Sequence, residues 1–277
     1  MPELSVILPM YNEEAVVDMV IEAVVEQLTA LERSFEIICV DDGSRDGTAT
    51  AIDAAAQRDD RVVPVILSRN FGKEAAMSAG LEAAGGRGVL LMDADLQHPP
   101  DLIPRMVAEW DAGFDVVDAV KADRGSEGPV YALAAGVFYA LMGTSVGEHL
   151  RNSSDFKLLD RQVVDVIVAM PERTRFFRGL VAWVGFRVAK VPFMVQRRAA
   201  GTTSWGTWGL MQYSLRNLVA FSSAPLRFVA VLGFITVGLD VLLALQTLIN
   251  WLAGNAVDGF TTVILTVGFL GGLILIS

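Results

Sequence analysis

Asp93 and Asp95 stand one residue apart in Met92-Asp93-Ala94-Asp95-Leu96-Gln97, directly after the apolar run Gly88–Leu91. Such a run reads as a buried parallel strand. At an extended strand end, residues i and i+2 point the same way, so the two carboxylates emerge together. Ligands to open α/β sheets gather at the carboxyl ends of the strands. Paired hard oxygen donors at that place suit Mg2+ or Mn2+, held by one or two carboxylates and completed by substrate phosphates.

Three other polar segments close apolar runs in the same way. Pro9-Met10-Tyr11-Asn12-Glu13-Glu14 ends the first, and Val40-Asp41-Asp42-Gly43-Ser44-Arg45-Asp46-Gly47-Thr48 ends the second. Asp42 could accept hydrogen bonds from a nucleobase, and Tyr11 could stack on it. Gly43 allows close backbone approach, although the whole segment is also a good turn sequence. After the third run comes Ser68-Arg69-Asn70-Phe71-Gly72-Lys73-Glu74, where Arg69, Lys73 and a helix N-terminus could hold an anion.

These segments need a scaffold, and the first half of the chain supplies one. Strands are expected at Leu4–Leu8, Phe35–Val40, Val62–Leu67, Gly88–Met92 and Asp115–Val120. Helices are expected at Glu14–Leu31, Thr48–Arg58, Glu74–Ala84 and Asp101–Ala112. The alternation means βαβ units and an α/β fold with a mostly parallel sheet. Further on, a helix is expected at Ser126–Met142, a loop at Gly143–Ser154, a strand at Asp155–Leu159 and a helix at Arg161–Ala169. A helix at Phe176–Val184, a strand at Arg187–Val195 and an amphipathic, interfacial helix at Thr207–Phe221 follow.

Composition adds a membrane. Hydrophobic residues make up 53% of the 277, and mean hydropathy is +0.46. Leu226 to Leu252 is almost wholly apolar and exceeds the ~20 residues a spanning helix needs. A second apolar run, Thr261–Ile276, is slightly short, and the natural protein is expected to continue beyond Ser277. Arg216 precedes the first run and Arg227 lies at its very start, while the following loop has Asp258 and no Lys or Arg. The positive-inside rule then puts the preceding residues in the cytoplasm. Domains are expected at 1–200 (catalytic), 201–225 (juxtamembrane) and 226–277 (two transmembrane helices). A net charge of −10 argues against a nucleic-acid partner. Cys39 alone excludes an internal disulfide, and two histidines make a His/Cys zinc site a poor fit. Asp240, inside the first span, needs a partner within the helix bundle or across a homo-oligomer interface.

Taken in order, P-M-Y-N-E-E, V-D-D-G-S-x-D-G-T, S-R-N-F-G-K, M-D-A-D-L-Q-H-P-P, D-F-K-L-L-D-R and R-F-F-R-G-L-V-A-W-V-G-F resemble one family. It is the polyprenyl-phosphate glycosyltransferases of glycosyltransferase family 2, which include dolichyl-phosphate mannose synthases and bactoprenol glucosyltransferases. The resemblance implies a GT-A fold, a nucleotide-diphosphate sugar donor and a polyprenyl phosphate acceptor such as undecaprenyl phosphate. It implies that Asp95 and Gln97 bind Mg2+ or Mn2+, with Asp93 adjacent or also ligating. Pro9, Tyr11, Asn12, Glu13, Asp42, Lys73 and Asp93 would bind the nucleotide sugar, and Asp93, Asp95 and Asp155 would be the catalytic carboxylates. Asp155 would sit at the reacting centre, as a positioning group first and a base second. Arg124, Arg175, Arg178 and Arg198 remain as candidates for the acceptor phosphate, and Arg175 and Arg178 could instead snorkel at a membrane surface. Ala132, Gly136 and Ala140 stand where basic residues are common in the family, and Gly201–Trp205 lacks the usual Glu and Lys. The expected reaction is an inverting transfer, with UDP-glucose or a similar UDP-sugar favoured over GDP-mannose. A non-catalytic nucleotide-sugar-binding protein is the reading from another class. A processive polysaccharide synthase is disfavoured because Q-x-x-R-W is absent from the sequence.

Overall fold

The computed structural model describes residues 2–121, 153–171, 176–194, 224–254 and 259–276. The chain divides into two compact units, Met1–Leu210 and Met211–Ser277.

The first unit is a seven-stranded sheet in the order β3-β2-β1-β4-β6-β5-β7. Its strands are β1 (Leu4–Met10), β2 (Phe35–Asp41), β3 (Val62–Ile66), β4 (Gly88–Leu91), β5 (Val116–Lys121), β6 (Ser153–Asp160) and β7 (Val188–Phe193). β1 to β4 pair in parallel, as does β7 with β5, whereas β6 runs antiparallel between β4 and β5. The mostly parallel sheet is as expected. The sequence leaves the direction of the Asp155–Leu159 strand open, and its pairing sets it antiparallel.

Helices cover both faces, which is why the strands read as continuous apolar runs rather than as alternation. On one side lie α1 (Val17–Thr29), α2 (Thr48–Arg58) and α4 (Ile103–Asp111). Val17, Val20, Ile21, Val24 and Leu28 of α1 share one stripe and pack on Leu4, Val6, Leu8 and Met10 of β1. Truncating one such buried leucine to alanine costs about 2–5 kcal/mol. On the other side lie α3 (Lys73–Ala83), α5 (Arg161–Ala169) and α6 (Phe177–Trp183). α3 approaches β1 so closely that a Cβ on Gly80 would lie 2.3 Å from Cγ2 of Ile7.

Some boundaries differ from expectation for local reasons. α1 begins at Val17, not Glu14; residues 14–16 form a turn, and the Glu14 carboxylate accepts the Gly47 N–H. The Asp101 helix opens as a 3-10 turn, Pro100–Leu102, before α4. Ser153 and Ser154, expected in a loop, belong to β6. The expected helices Ser126–Met142 and Thr207–Phe221, and most of the loop at Gly143–Ser154, lie outside the described residues.

The second unit contains α7 (Ala224–Leu252) and α8 (Phe260–Ile276), packed on each other. Leu226–Leu252 is long and apolar enough to cross a membrane, with mean hydropathy 2.5 and 11% buried. That exposure is unlike the core helix of a soluble domain. The apolar part of α8, Val263–Ile276, falls short of that length, so one described helix meets the criterion where two were expected. Small residues let the pair approach: a Cβ on Gly272 would lie 2.6 Å from Val237 Cγ2, and one on Gly268 would meet the Asp240 carboxylate.

Candidate active site

The carboxyl ends of β1, β2 and β4 and the start of the inverted β6 meet at one sheet edge. In the β4–β6 register Leu91 faces Lys157. Two residues beyond Leu91 is Asp93, and two residues before Lys157 is Asp155, so adjacent strands deliver the two carboxylates together. Tertiary topology alone brings the D-x-D segment to D-F-K-L-L-D.

One flank of this edge is a set of cross-tied loops. The Asn12 N–H donates to Ser44 Oγ at 2.8 Å, and Asn12 Oδ1 accepts the Arg45 N–H at 2.9 Å. The Glu13 N–H donates to Thr48 Oγ1 at 2.9 Å. Asn12 holds φ 56°, a left-handed conformation that asparagine tolerates better than most residues. Tyr11 is exposed and Pro9 half-buried at the end of β1. Asp42 is buried, and its two oxygens accept the N–H groups of Phe71 (2.7 Å) and Gly72 (2.9 Å). It therefore ties the loop that leads to Lys73. Gly43, at φ 64°, makes that contact feasible, since a Cβ there would lie 2.3 Å from the Arg69 carbonyl carbon. Arg69 itself lies over the exposed Phe71 ring, 4.2 Å from its centroid.

Beside these loops is a cluster of charges. Lys73 Nζ lies 2.5 Å from Asp93 Oδ1 and 2.6 Å from Asp155 Oδ2. Arg178, on α6, grips Asp155 with both Nε (2.6 Å) and Nη2 (2.9 Å). Burial opposes ionisation of Asp155, but Arg178 and Lys73 overcome it and hold the carboxyl well below the usual carboxylate range. For Lys73, burial works against the charge, and Asp155 and Asp93 together raise its pKa above the ordinary lysine value. A carboxylate held this acidic is a weak base, so proton abstraction is a poor use of Asp155.

The D-x-D turn is itself strained. Leu96 holds φ 57°, costly for a side chain of that size, and such outliers collect at functional sites. The turn buries Asp95, whose Oδ1 accepts the Gln97 N–H at 3.1 Å. Among the described residues no three His, Cys, Asp or Glu side chains form a metal cage. Asp95 and Gln97 could supply hard oxygen donors of the kind Mg2+ or Mn2+ takes when substrate phosphates complete its shell. Of the four expected acceptor-phosphate arginines, Arg178 is in the cluster. Arg124, Arg175 and Arg198 lie outside the described residues.

A family model described as glycosyl transferase family 2 matches residues 5–168. The chain belongs to glycosyltransferase family 2. It is 40% identical to a glycosyltransferase of Synechocystis sp., over 99% of this chain and 87% of that one. It is 35% identical to the bactoprenol glucosyl transferase of Shigella phage SfV, over 99% and 90% respectively. Among solved structures it is similar to glucosyl-3-phosphoglycerate synthase from Mycobacterium tuberculosis, crystallised with Mn2+, UDP and phosphoglyceric acid. That match has a TM-score of 0.58 and 22% identity, over 79% of this chain and 77% of that chain. The likeness shows the fold, a GT-A α/β domain.

Two features of this glycosyltransferase escaped sequence reasoning. His98, in Gln97-His98-Pro99-Pro100, is 6% exposed and packs between the rings of Phe156 and Phe193, with centroids at 5.3 and 5.6 Å. Its Nδ1 has no hydrogen-bond partner among the described residues. Burial, the largest influence, lowers its pKa and keeps it neutral at pH 7. The second is a buried ion pair one step deeper along β6. Lys157 Nζ donates to Asp118 on β5 (2.5 Å) and to Ser153 Oγ (2.7 Å). Burial lowers the Lys157 pKa, with Asp118 opposing it. A lysine within an apolar strand was the available signal; its partner on another strand was not readable.

Proposed function

We propose that this family 2 glycosyltransferase moves a hexose, with glucose from UDP-glucose favoured, onto a polyprenyl phosphate such as undecaprenyl phosphate. The observation that carries the reading is the Lys73–Asp155–Arg178 cluster beside the D-x-D turn. It assembles cations for two phosphates around a carboxylate too acidic to serve as a base. An acceptor that needs no base is a phosphate monoester, whose second pKa near 6 leaves it ionised at neutral pH. Bactoprenol glucosyl transferases among the relatives, and UDP in a structural neighbour, support the same acceptor and donor classes.

In this reading Pro9, Tyr11, Asn12, Glu13 and Asp42 form the nucleoside flank, Asp42 by fixing the loop before Lys73. Lys73 binds the donor diphosphate, and Arg178, oriented by Asp155, holds the acceptor phosphate. Arg124, Arg175 and Arg198 are proposed for the same phosphate. Asp95 and Gln97, with Asp93 beside them, would hold Mg2+ or Mn2+, which neutralises charge on the departing nucleotide diphosphate when bound. An acceptor phosphate oxygen forms the new bond at the anomeric carbon. The bond to the diphosphate breaks with its electron pair leaving on that group, and no proton moves. Direct displacement inverts the anomeric configuration. α7, with α8 beside it, is proposed to anchor the enzyme in the cell membrane as a two-helix hairpin with residues before Leu226 in the cytoplasm.

The test is lipid-linked sugar formation by the detergent-purified chain. It is offered undecaprenyl phosphate with UDP-glucose, UDP-N-acetylglucosamine or GDP-mannose, each with Mg2+, Mn2+ or EDTA. Metal-dependent product from UDP-glucose supports the reading. Product from GDP-mannose alone reassigns the donor. Nucleotide-sugar binding without product from any donor favours a non-catalytic binding protein.

A further inference from the structure

We infer that His98 is a positioning residue for Asp93: its Nδ1–H takes up Asp93 Oδ2 once the donor diphosphate draws Lys73 off the other oxygen. The inference rests on the nucleotide-sugar reading above. A buried ring nitrogen without a partner loses its hydration with nothing in return, and native proteins rarely leave one unexplained. His98 is such a case. Asp93 Oδ2 lies 3.8 Å from its Nδ1, too far for a hydrogen bond but near enough for a side-chain rotation to close. His98 is wedged by Phe156 and Phe193 and cannot make that movement. The Asp93 side chain, 27% exposed at the sheet edge, can.

Asp93 is presently held by Lys73, which Asp155 shares. A donor diphosphate arriving at this edge competes for the same ammonium. A carboxylate released there would swing between orientations unless a second donor caught it, and His98 is that donor in a fixed place. A lone pair on Nδ1 would repel the carboxylate, so the bond selects the Nδ1–H tautomer. Phe156 lies between Asp155 and Lys157 on β6, so the strand that carries the cation cluster on one face braces His98 with the other.

The chain has two histidines, His98 and His149, so 15N-histidine labelling gives a spectrum of two rings. His98→Phe assigns the His98 signal. The full chain in detergent is titrated with UDP, and separately with GDP, in Mg2+. The expected result is a protonated His98 Nδ1 with a slowly exchanging proton in the nucleotide complex. Three substitutions separate positioning from packing. His98→Phe keeps the aromatic contacts without a donor, His98→Asn places an amide N–H where Nδ1 lies, and His98→Gln places one where Nε2 lies. Mg2+-dependent nucleotide binding should weaken about tenfold or more in the Phe and Gln variants and stay within about threefold in the Asn variant. An unprotonated Nδ1 in the complex, or a Phe variant that binds as well as the wild type, overturns the inference. Binding of neither nucleotide by the wild type overturns the proposed function as well, so the two failures are distinct.

Discussion

Replacing Asp155 with asparagine tests the charge cluster directly. The carboxylate accepts three short bonds, from Lys73 Nζ, Arg178 Nε and Arg178 Nη2. Asparagine keeps one acceptor oxygen and turns an NH2 group toward a cation. If its oxygen stays on Arg178 Nε, the bonds to Lys73 and Arg178 Nη2 are lost. At about 1.5–3 kcal/mol for each hydrogen bond to a charged group, two losses come to roughly 3–6 kcal/mol. The Lys73 and Arg178 side chains are 35% and 38% exposed, so released cations regain water, and Lys73 keeps Asp93. That screening favours the low end, about 3 kcal/mol. For a unit of this size the expected fall in Tm is roughly 6–12 °C. Tryptophan fluorescence during a thermal ramp, in detergent at pH 7, reads it. The folded-state pKa of Asp155 is depressed, so its contribution is present above the unfolded carboxyl value near 4 and is lost only as pH falls through the lower, folded one. The gap between wild type and variant should therefore stay constant from pH 8 to about 5 and close only in stronger acid. A Tm change under about 2 °C, or a gap that closes near pH 6, would falsify the ion cluster as described.

Four further outcomes follow from the same geometry. The acid limb of turnover should lie near 6 and follow the acceptor phosphate, because Asp155 stays ionised far below that; a limb that vanishes in a still-active Asp155→Asn would restore the base role. Asp95→Ala should reduce lipid-linked product by a hundredfold or more, on the order of one lost charge-stabilising group, and excess Mn2+ should not rescue it. Lys157→Met should cost about 3–5 kcal/mol by stranding the buried Asp118 carboxylate, and Lys157→Met with Asp118→Leu should recover most of it; equal melting temperatures for both would contradict a paired site. Gly80→Ala should lose about 1–3 kcal/mol by driving a methyl into Ile7, measured as a lower Tm with UDP affinity nearly intact.

The amino-acid sequence by itself determined the βαβ alternation, the apolar segment of α7 and the carboxyl-edge positions of Tyr11, Asp42, Lys73, Asp93 and Asp95. Those are local properties: strand and helix periodicity, turn chemistry and proximity along the chain decide them. The motif set also identified the family, because several short polar segments in a fixed order form a pattern even when each is ordinary alone. Tertiary structure decided what the polar residues touch. The antiparallel entry of β6 between β4 and β5 sets Asp155 beside Asp93, residues 62 positions apart in sequence. It also determined that Asp42 ties the loop before Lys73, that Lys157 lies buried on Asp118, and that His98 Nδ1 stands between two phenylalanines with no hydrogen-bond partner among the described residues. Pairing across a sheet depends on strand order and direction, which the burial of whole faces selects, so no single segment encodes it.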